Sequence, residues 1–332
     1  MEEIQHIKES VPSGAITRPQ KQPQRFLGIV TLTLVFFASA ELTVAYLSNI
    51  NPTESIAQTA AAATAVDPFA GISLTAESAY VLDLTTNRTL YSLHPNVQLP
   101  LASLTKVPLA LVVSEVLLPD TIVTIPPHET PDGGPVRLPA GLQLRIQDLL
   151  DFTLVSSSNE GAKLLSDAAS AGLHRKYPEV DRGIVVIWRM NDLAKDLGLA
   201  HTYFLNSNGL DLSTTQASAY GSARDVARLF GFAASTSLSI FEQTSRDTLS
   251  IRGLKGETIT ASNTDEILSS VPGFIIGKTG YTDLAGGNLA IVFEVGPARP
   301  VVAVVLHSTA AGRFEDMKKL ITATQALIAQ KP

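Results

Sequence analysis

An α+β domain is predicted for this chain: an α/β/α sandwich in which one antiparallel sheet is flanked by helices and interrupted by a mainly helical insertion. Strand-like runs lie at Ala79 to Leu84 and Thr89 to Leu93. A second group lies at Gly273 to Gly280, Asn288 to Val295 and Val301 to His307, and the stretch between the two groups is mainly helical in pattern. Strands from both ends of a chain that share one apolar core pair in a single sheet, with the helices on its faces.

Taken in order, Thr86-Asn87-Arg88 reads as a hairpin turn between the first two runs. Leu104 to Leu118 is an apolar helix candidate, in which Pro108 is tolerable only near the first turn. Residues 125–141 are too rich in Pro and Gly for anything but loop. Leu142 to Ser170, Ile187 to Leu197 and Ala223 to Ala234 follow as mainly helical, with a break at Ser157-Ser158-Asn159, and a helix from Arg313 to Gln330 closes the chain. No internal repeat is visible.

The chain has 332 residues, 45% hydrophobic and 17% charged, enough apolar material for one large folded domain. With 25 basic against 31 acidic residues it carries no basic surplus, so nucleic acid is not an expected partner. Cysteine is absent, which excludes disulfides, thiolate metal sites and a cysteine nucleophile. From Phe26 to Leu47 the only charge is Glu41, and a helix of that length spans roughly 33 Å, about a bilayer's hydrocarbon thickness. Arg18, Lys21 and Arg25 precede it, which places the N-terminus in the cytoplasm and the remainder outside. A retained anchor in the cytoplasmic membrane is favoured, because the apolar stretch continues past Ala40. Cleavage after Ala38-Ser39-Ala40 is the rival reading, and either exports the domain to the cell envelope. The expected organisation is a cytoplasmic tail (1–25), this segment (26–47), a linker rich in Ala, Thr and Ser (48–71) and a catalytic domain (72–332).

Histidine chemistry has no support. The six histidines form no i, i+4 pair and no G-x-S-x-G elbow occurs, so no metal or other cofactor is expected. Lysine is more informative. In Ser103-Leu104-Thr105-Lys106 the i, i+3 spacing brings the amine beside the hydroxyl. A serine nucleophile needs a base, and Lys106 would have to be neutral to serve, a state favoured by burial, a helix N-terminus or a second cation. Such a match alone also arises from a capping serine and a surface lysine. Lys278-Thr279-Gly280 ends an apolar strand, where a cation and a hydroxyl suit a carboxylate and the glycine leaves the strand edge bare for an extended peptide. An ordinary hairpin end reads the same way. Ser157-Ser158-Asn159 lies between helical runs, where a helix N-cap is the competing reading.

As an ordered set, S-x-x-K, S-x-N and K-T-G resemble the signature of the penicillin-recognising serine acyltransferases. Within them, the chain from Ile72 onward resembles the low-molecular-mass D-alanyl-D-alanine carboxypeptidases. Lys278 to Asp283 followed by Ala285-Gly286-Gly287-Asn288 matches that family's K-T-G strand and its return. Leu138 to Gly141 leading to Asp148-Leu149-Leu150, Phe204-Leu205-Asn206 with Gly209-Leu210, and Ser222 to Asp225 match further landmarks. The resemblance implies a β-lactamase/transpeptidase-like fold, a peptidoglycan stem peptide ending in D-Ala-D-Ala as substrate, and β-lactams as covalent inhibitors. It implies Ser103 as nucleophile, Lys106 as general base and Ser157 as proton relay to the leaving amine. Asn159 would hold the substrate amide and orient Lys106, Lys278 and Thr279 would grip the terminal carboxylate, the Lys278 charge would help keep Lys106 neutral, and Gly280 would complete the substrate-binding set. Backbone N–H groups of Ser103 and Tyr281 would form the oxyanion hole.

Two departures from the family pattern stand out. Ala171 to Trp188 is an atypical excursion expected to reshape the cleft. The chain also ends about 50 residues after the K-T-G motif, so a C-terminal β-rich domain is not expected and the N-terminal segment takes over tethering. A D,D-endopeptidase acting on crosslinked peptidoglycan is the alternative activity. A serine β-lactamase is disfavoured because no Glu between residues 160 and 277 begins an E-x-x-L-N segment. A non-catalytic wall-binding scaffold is disfavoured because every reactive position is intact.

Overall fold

The computed structural model describes residues 67–127 and 138–330. The expected tail and membrane segment, most of the linker, and residues 128–137 of the Pro/Gly-rich loop lie outside the described residues. Among the described residues no helix is long and apolar enough to cross a membrane. Folded structure reaches back to Phe69, earlier than the expected start at Ile72: Phe69 is buried and stacks on Tyr91 at 5.1 Å.

Both ends of the chain build one antiparallel sheet, as predicted. It contains β1 (Ser78–Asp83) and β2 (Arg88–Leu93) from the N-terminal side. β10 (Phe274–Thr282), β11 (Gly286–Glu294) and β12 (Pro300–Ser308) come from the C-terminal side. The order is β10-β11-β12-β1-β2, so the two ends meet where β12 pairs with β1, with Ser78 opposite Leu306 and Asp83 opposite Val301. β12 is central and covered on both faces, which is why it reads as a continuous apolar run. Strand alternation splits it between two cores. Val301, Ala303 and Val305 pack with Phe314, Met317 and Leu320 of the closing helix, while Val302, Val304 and Leu306 face the helical layer.

That layer is the predicted insertion. Its centre is α1 (Lys106–Ser114), buried at every position but the last and therefore apolar all round. α1 ends at Ser114, short of the expected Leu118; Pro119 disfavours helical backbone at Leu118 itself. Pro108 falls inside its first turn, where a missing N–H costs nothing. Around it lie α2 (Ile146–Ser156), α3 (Asn159–Lys176), α4 (Val185–Asp196) and α5 (Ala223–Thr236), the last packed on the sheet. A short helix α6 (Leu238–Phe241) follows, and α7 (Gly312–Ala329) closes the chain. Short pairings complete the inventory: β3 (Leu99–Pro100) with β7 (Ala219–Gly221) and β6 (Tyr203–Phe204), and β4 (Ile122–Thr124) with β5 (Gln143–Arg145).

Two stretches differ from expectation. The excursion at residues 171–188 does not reach the cleft. α3 runs on to Lys176 and α4 begins at Val185, and the turn between them packs Tyr177 against Trp188 while Lys176 and Arg189 both reach Glu115 at the end of α1. Sequence patterning assigns no element to residues 235–272, yet β8 (Thr248–Arg252) and β9 (Thr258–Ser262) form a hairpin there. Within its two strands only Leu249, Ile251 and Ala261 are buried, too sparse a pattern to stand out.

Asp151 is a buried carboxyl on α2, and burial pushes its pKa up to about 7 against the opposing hydrogen bond from Gln147, with Asp148 and Glu242 adding to the rise and Arg246 opposing it. The unfolded chain ionises this group near pH 4, so the native fold loses stability as pH rises from there through about 7. Asp151→Asn keeps the acceptor for Gln147 and removes the charge. The variant should match the parent at pH 4 and exceed it at pH 8 by on the order of 1–3 kcal/mol in urea unfolding. Equal stability at both pH values would show that the carboxylate is solvated.

Candidate active site

Leu101 leaves β3, and the chain turns sharply through Ala102, whose φ of +48° is rare for a residue with a side chain. A 3-10 turn over Ala102–Thr105 then feeds α1, placing Ser103 at the cleft surface and Lys106 beneath it. Lys106 is 1% exposed. Its Nζ lies 2.8 Å from Ser103 Oγ and 2.9 Å from Asn159 Oδ1, and it also contacts the carbonyl oxygen of Asn208. Burial, and then the positive charge of Lys278, hold this amine well below the usual lysine range.

Ser157-Ser158-Asn159 both caps a helix and faces the cleft, with the two tasks divided by residue. Ser157 ends α2 in left-handed backbone (φ +59°). Ser158 is the N-cap of α3, accepting from Gly161 N. The flanking side chains are thereby turned toward the two lysines: Asn159 to Lys106, and Ser157 to Lys278, whose Nζ donates to Ser157 Oγ at 2.8 Å and to Thr279 O at 2.9 Å. Lys278 is 2% exposed and lies under the cleft floor. Burial first, then the nearby Arg313 cation, lower its pKa to about 7 against the opposing pull of Asp265.

β10 is the sheet's edge strand and forms the third wall. Gly280 sits where any Cβ would lie 2.8 Å from Leu101 O and 3.2 Å from Ser103 N, so the bare strand lets the Ser103 turn approach its backbone. The resulting cleft, about 220 Å³, is lined by Ser103, Ser157, Asn159, Thr279, Gly280 and Tyr281 among others. All eight predicted site residues thus meet in one place, six on the walls and the two lysines beneath. A larger groove of about 550 Å³ between α5 and the strand ends at Leu82, Ile275 and Pro300 brings no serine–lysine pair together.

Sequence reasoning missed four contributors. Thr264 lines the cleft with its hydroxyl 2.6 Å from that of Thr279. Arg313, read only as the start of a helix, lines it too and donates to Gly280 O at 2.9 Å, while its buried Nε has no partner among the described residues. The Asn208 carbonyl and Gly209 come from the Phe204 to Leu210 landmark. There the Asn206 side chain accepts from Gly209 N and donates to Leu210 O, folding the loop against the Ser103 turn. The landmark itself was legible, but a backbone carbonyl such as that of Asn208 carries no signal in residue type, so its contact with Lys106 was not.

Comparison with known proteins agrees with this geometry. The sequence profile of the D-alanyl-D-alanine carboxypeptidase family matches residues 60–310. The D-alanyl-D-alanine endopeptidase of Pseudomonas aeruginosa is 32% identical over 252 residues, covering 73% of this chain and 75% of that one. The D-alanyl-D-alanine endopeptidase of Escherichia coli is 29% identical, covering 81% and 82%. Among solved structures, the cefotaxime-bound penicillin-binding protein D2 of Listeria monocytogenes superposes with a TM-score of 0.64 at 26% identity, covering 76% of this chain and 98% of that one. Because the profile match runs through all three motif segments, the chain belongs to the D-alanyl-D-alanine carboxypeptidase family and is a serine-type hydrolase of that family.

Proposed function

We propose that this chain removes the terminal D-alanine from peptidoglycan stem peptides through an acyl-enzyme on Ser103, and that β-lactams acylate the same oxygen. The observation that carries the assignment is the set of partners around Lys106. A neutral primary amine has two N–H donors and one lone pair. Asn159 Oδ1 and the Asn208 carbonyl can only accept, so they take the two N–H groups, and the Ser103 hydroxyl is left facing the lone pair. Lys106 takes the Ser103 proton as the oxygen attacks the penultimate carbonyl. Backbone N–H groups of Ser103 and Tyr281 hold the oxyanion, a contribution of a few kcal/mol per donor. Ser157 relays a proton to the leaving amine with the Lys278 ammonium 2.8 Å behind it. Thr279 and Arg313 hold the terminal carboxylate, and the Lys278 charge reinforces them from below.

The endopeptidase reading has its own support. The two endopeptidases named above are similar along most of their length, whereas the Bacillus subtilis carboxypeptidase DacF is matched over 61% of its own. In a D,D-crosslink the leaving residue also carries a carboxylate beside the scissile amide, so Thr279 and Arg313 serve either substrate. Residues 26–47 hold the domain outside the cytoplasmic membrane in this reading.

Product analysis on defined muropeptides tests it. A monomeric pentapeptide should lose D-alanine, penicillin should block the loss, and Ser103→Ala should remove both the activity and the label left by a fluorescent penicillin. Conversion of crosslinked dimers to monomers without D-alanine release would shift the assignment to the endopeptidase. Full labelling of Ser103→Ala would defeat the nucleophile assignment.

A further inference from the structure

Nothing in the sequence marks Asn263-Thr264-Asp265, yet this segment is tied to two walls of the cleft. The Thr264 N–H donates to Val155 O at 3.2 Å, near the end of the helix that presents Ser157. The Thr264 Oγ1 lies 2.6 Å from Thr279 Oγ1 on β10. The segment is itself braced. Asn263 Nδ2 donates to the carbonyls of Thr244 and Arg246 at 2.9 and 3.0 Å, and Asn263 Oδ1 accepts from Asp265 N at 2.9 Å. Thr264 therefore stands at a fixed place, with its hydroxyl against the hydroxyl of the K-T-G threonine.

Two hydroxyl oxygens 2.6 Å apart share one proton between them, and each hydroxyl has only one to give. If Thr279 were the donor, its proton would be consumed and its lone pairs would face an incoming carboxylate. If Thr264 is the donor, the Thr279 proton stays available. The two bonds then run in series from Thr264 to Thr279 to the anion, each polarising the next. Arg313 lines the same cleft and draws an anion to this end, which favours the second arrangement.

We propose that Thr264 is a positioning residue for substrate recognition: by donating to Thr279 Oγ1 it leaves the Thr279 proton directed at the free carboxylate of the peptide's terminal residue. The proposal rests on the reading of Thr279 as a carboxylate ligand given above. It makes carboxylate selectivity a property of a threonine pair, one member of which lies outside the three motifs.

The test uses the full-length chain with Thr264→Val, which keeps the shape and loses the hydroxyl, and Thr264→Ser, which keeps the hydroxyl. Each is assayed on a peptide ending in D-Ala-D-Ala and on the same peptide with its C-terminus amidated. Thr264→Val should raise KM for the free acid by about five- to tenfold with kcat within about twofold, leave kcat/KM for the amide unchanged, and Thr264→Ser should restore the parent values. Unchanged kinetics on the acid would overturn the proposal. So would equal losses on acid and amide, or a failure of Thr264→Ser to rescue, since a merely structural role produces both. Endpoint labelling of Ser103 by a fluorescent penicillin, run on every variant, reports whether the site has assembled. A parent chain that does not label at all would sink the underlying reading of the site, and this proposal with it.

Discussion

Exchanging Lys106 for methionine should yield a folded protein whose acylation by penicillin is slower by about 10³-fold or more, with D-alanine release lost in parallel. Among the described residues Lys106 is the one base within hydrogen-bond reach of Ser103 Oγ. Methionine matches the length of the lysine stem and suits a position 1% exposed. Folding should therefore survive even though Asn159 Oδ1 and Asn208 O lose their donor. Lys106→Arg should be as inactive, because a guanidinium does not give up its proton. The parent's pH profile follows from the two lysines. Activity rises as the depressed Lys106 amine deprotonates, and it falls as Lys278, with a pKa of about 7, loses the charge that supports carboxylate binding and the proton relay. Arg313 contributes to the lowering of Lys278, so Arg313→Gln should move the alkaline limb of kcat/KM to higher pH while weakening substrate binding. Acylation of Lys106→Met at the parent rate would remove the lysine from the mechanism.

The same contrast between side-chain chemistry and backbone geometry governs what could be read from the sequence. Ser103, Lys106, Lys278 and Thr279 were legible because catalysis demands particular functional groups, and i, i+3 or strand-end spacing fixes how they can meet. The five-strand sheet was legible because β11 and β12 are uninterrupted apolar runs of strand length at the far end of the chain from β1, so both ends had to share one core. Asp265 and Thr264 were not, as they lie in an irregular segment where no period constrains residue type. Their relevance comes from a tertiary approach to β10 that local sequence does not encode. Arg313 was visible only as a helix start, because nothing in residues 309–330 says that the first turn of α7 faces the cleft. The 171–188 excursion misled for a related reason: its unusual composition serves a polar and aromatic contact at Glu115, Tyr177 and Trp188, remote from the chemistry.

Glycine positions around Ser103, the proposed nucleophile, carry the second large prediction. The turn Leu101-Ala102-Ser103 is held between two backbone walls, Gly209 on one side and Gly280 on the other. A Cβ at Gly209 would lie 2.2 Å from Ala102 O, and Gly209 has φ +86°, so alanine there meets both steric overlap and an unfavourable conformation. Gly209→Ala should cost about 3 kcal/mol or more of stability, with activity lost alongside. At Gly280 the backbone is extended and the nearest approach is 2.8 Å to the backbone oxygen of Leu101, so alanine there must displace the turn, but with less overlap than at Gly209 and no conformational penalty. Gly280→Ala should therefore cost only about 1–2 kcal/mol of stability. Acylation should nevertheless fall by about 10²-fold, because the displaced group is the Ser103 N–H proposed for the oxyanion hole. Thermal unfolding and penicillin acylation rates, measured on both variants, separate the two outcomes. If Gly280→Ala lost stability and activity in the same proportion as Gly209→Ala, the glycine would be serving the fold alone. If it lost acylation while staying folded, the close approach of β10 to the serine would be part of how the cleft stabilises negative charge.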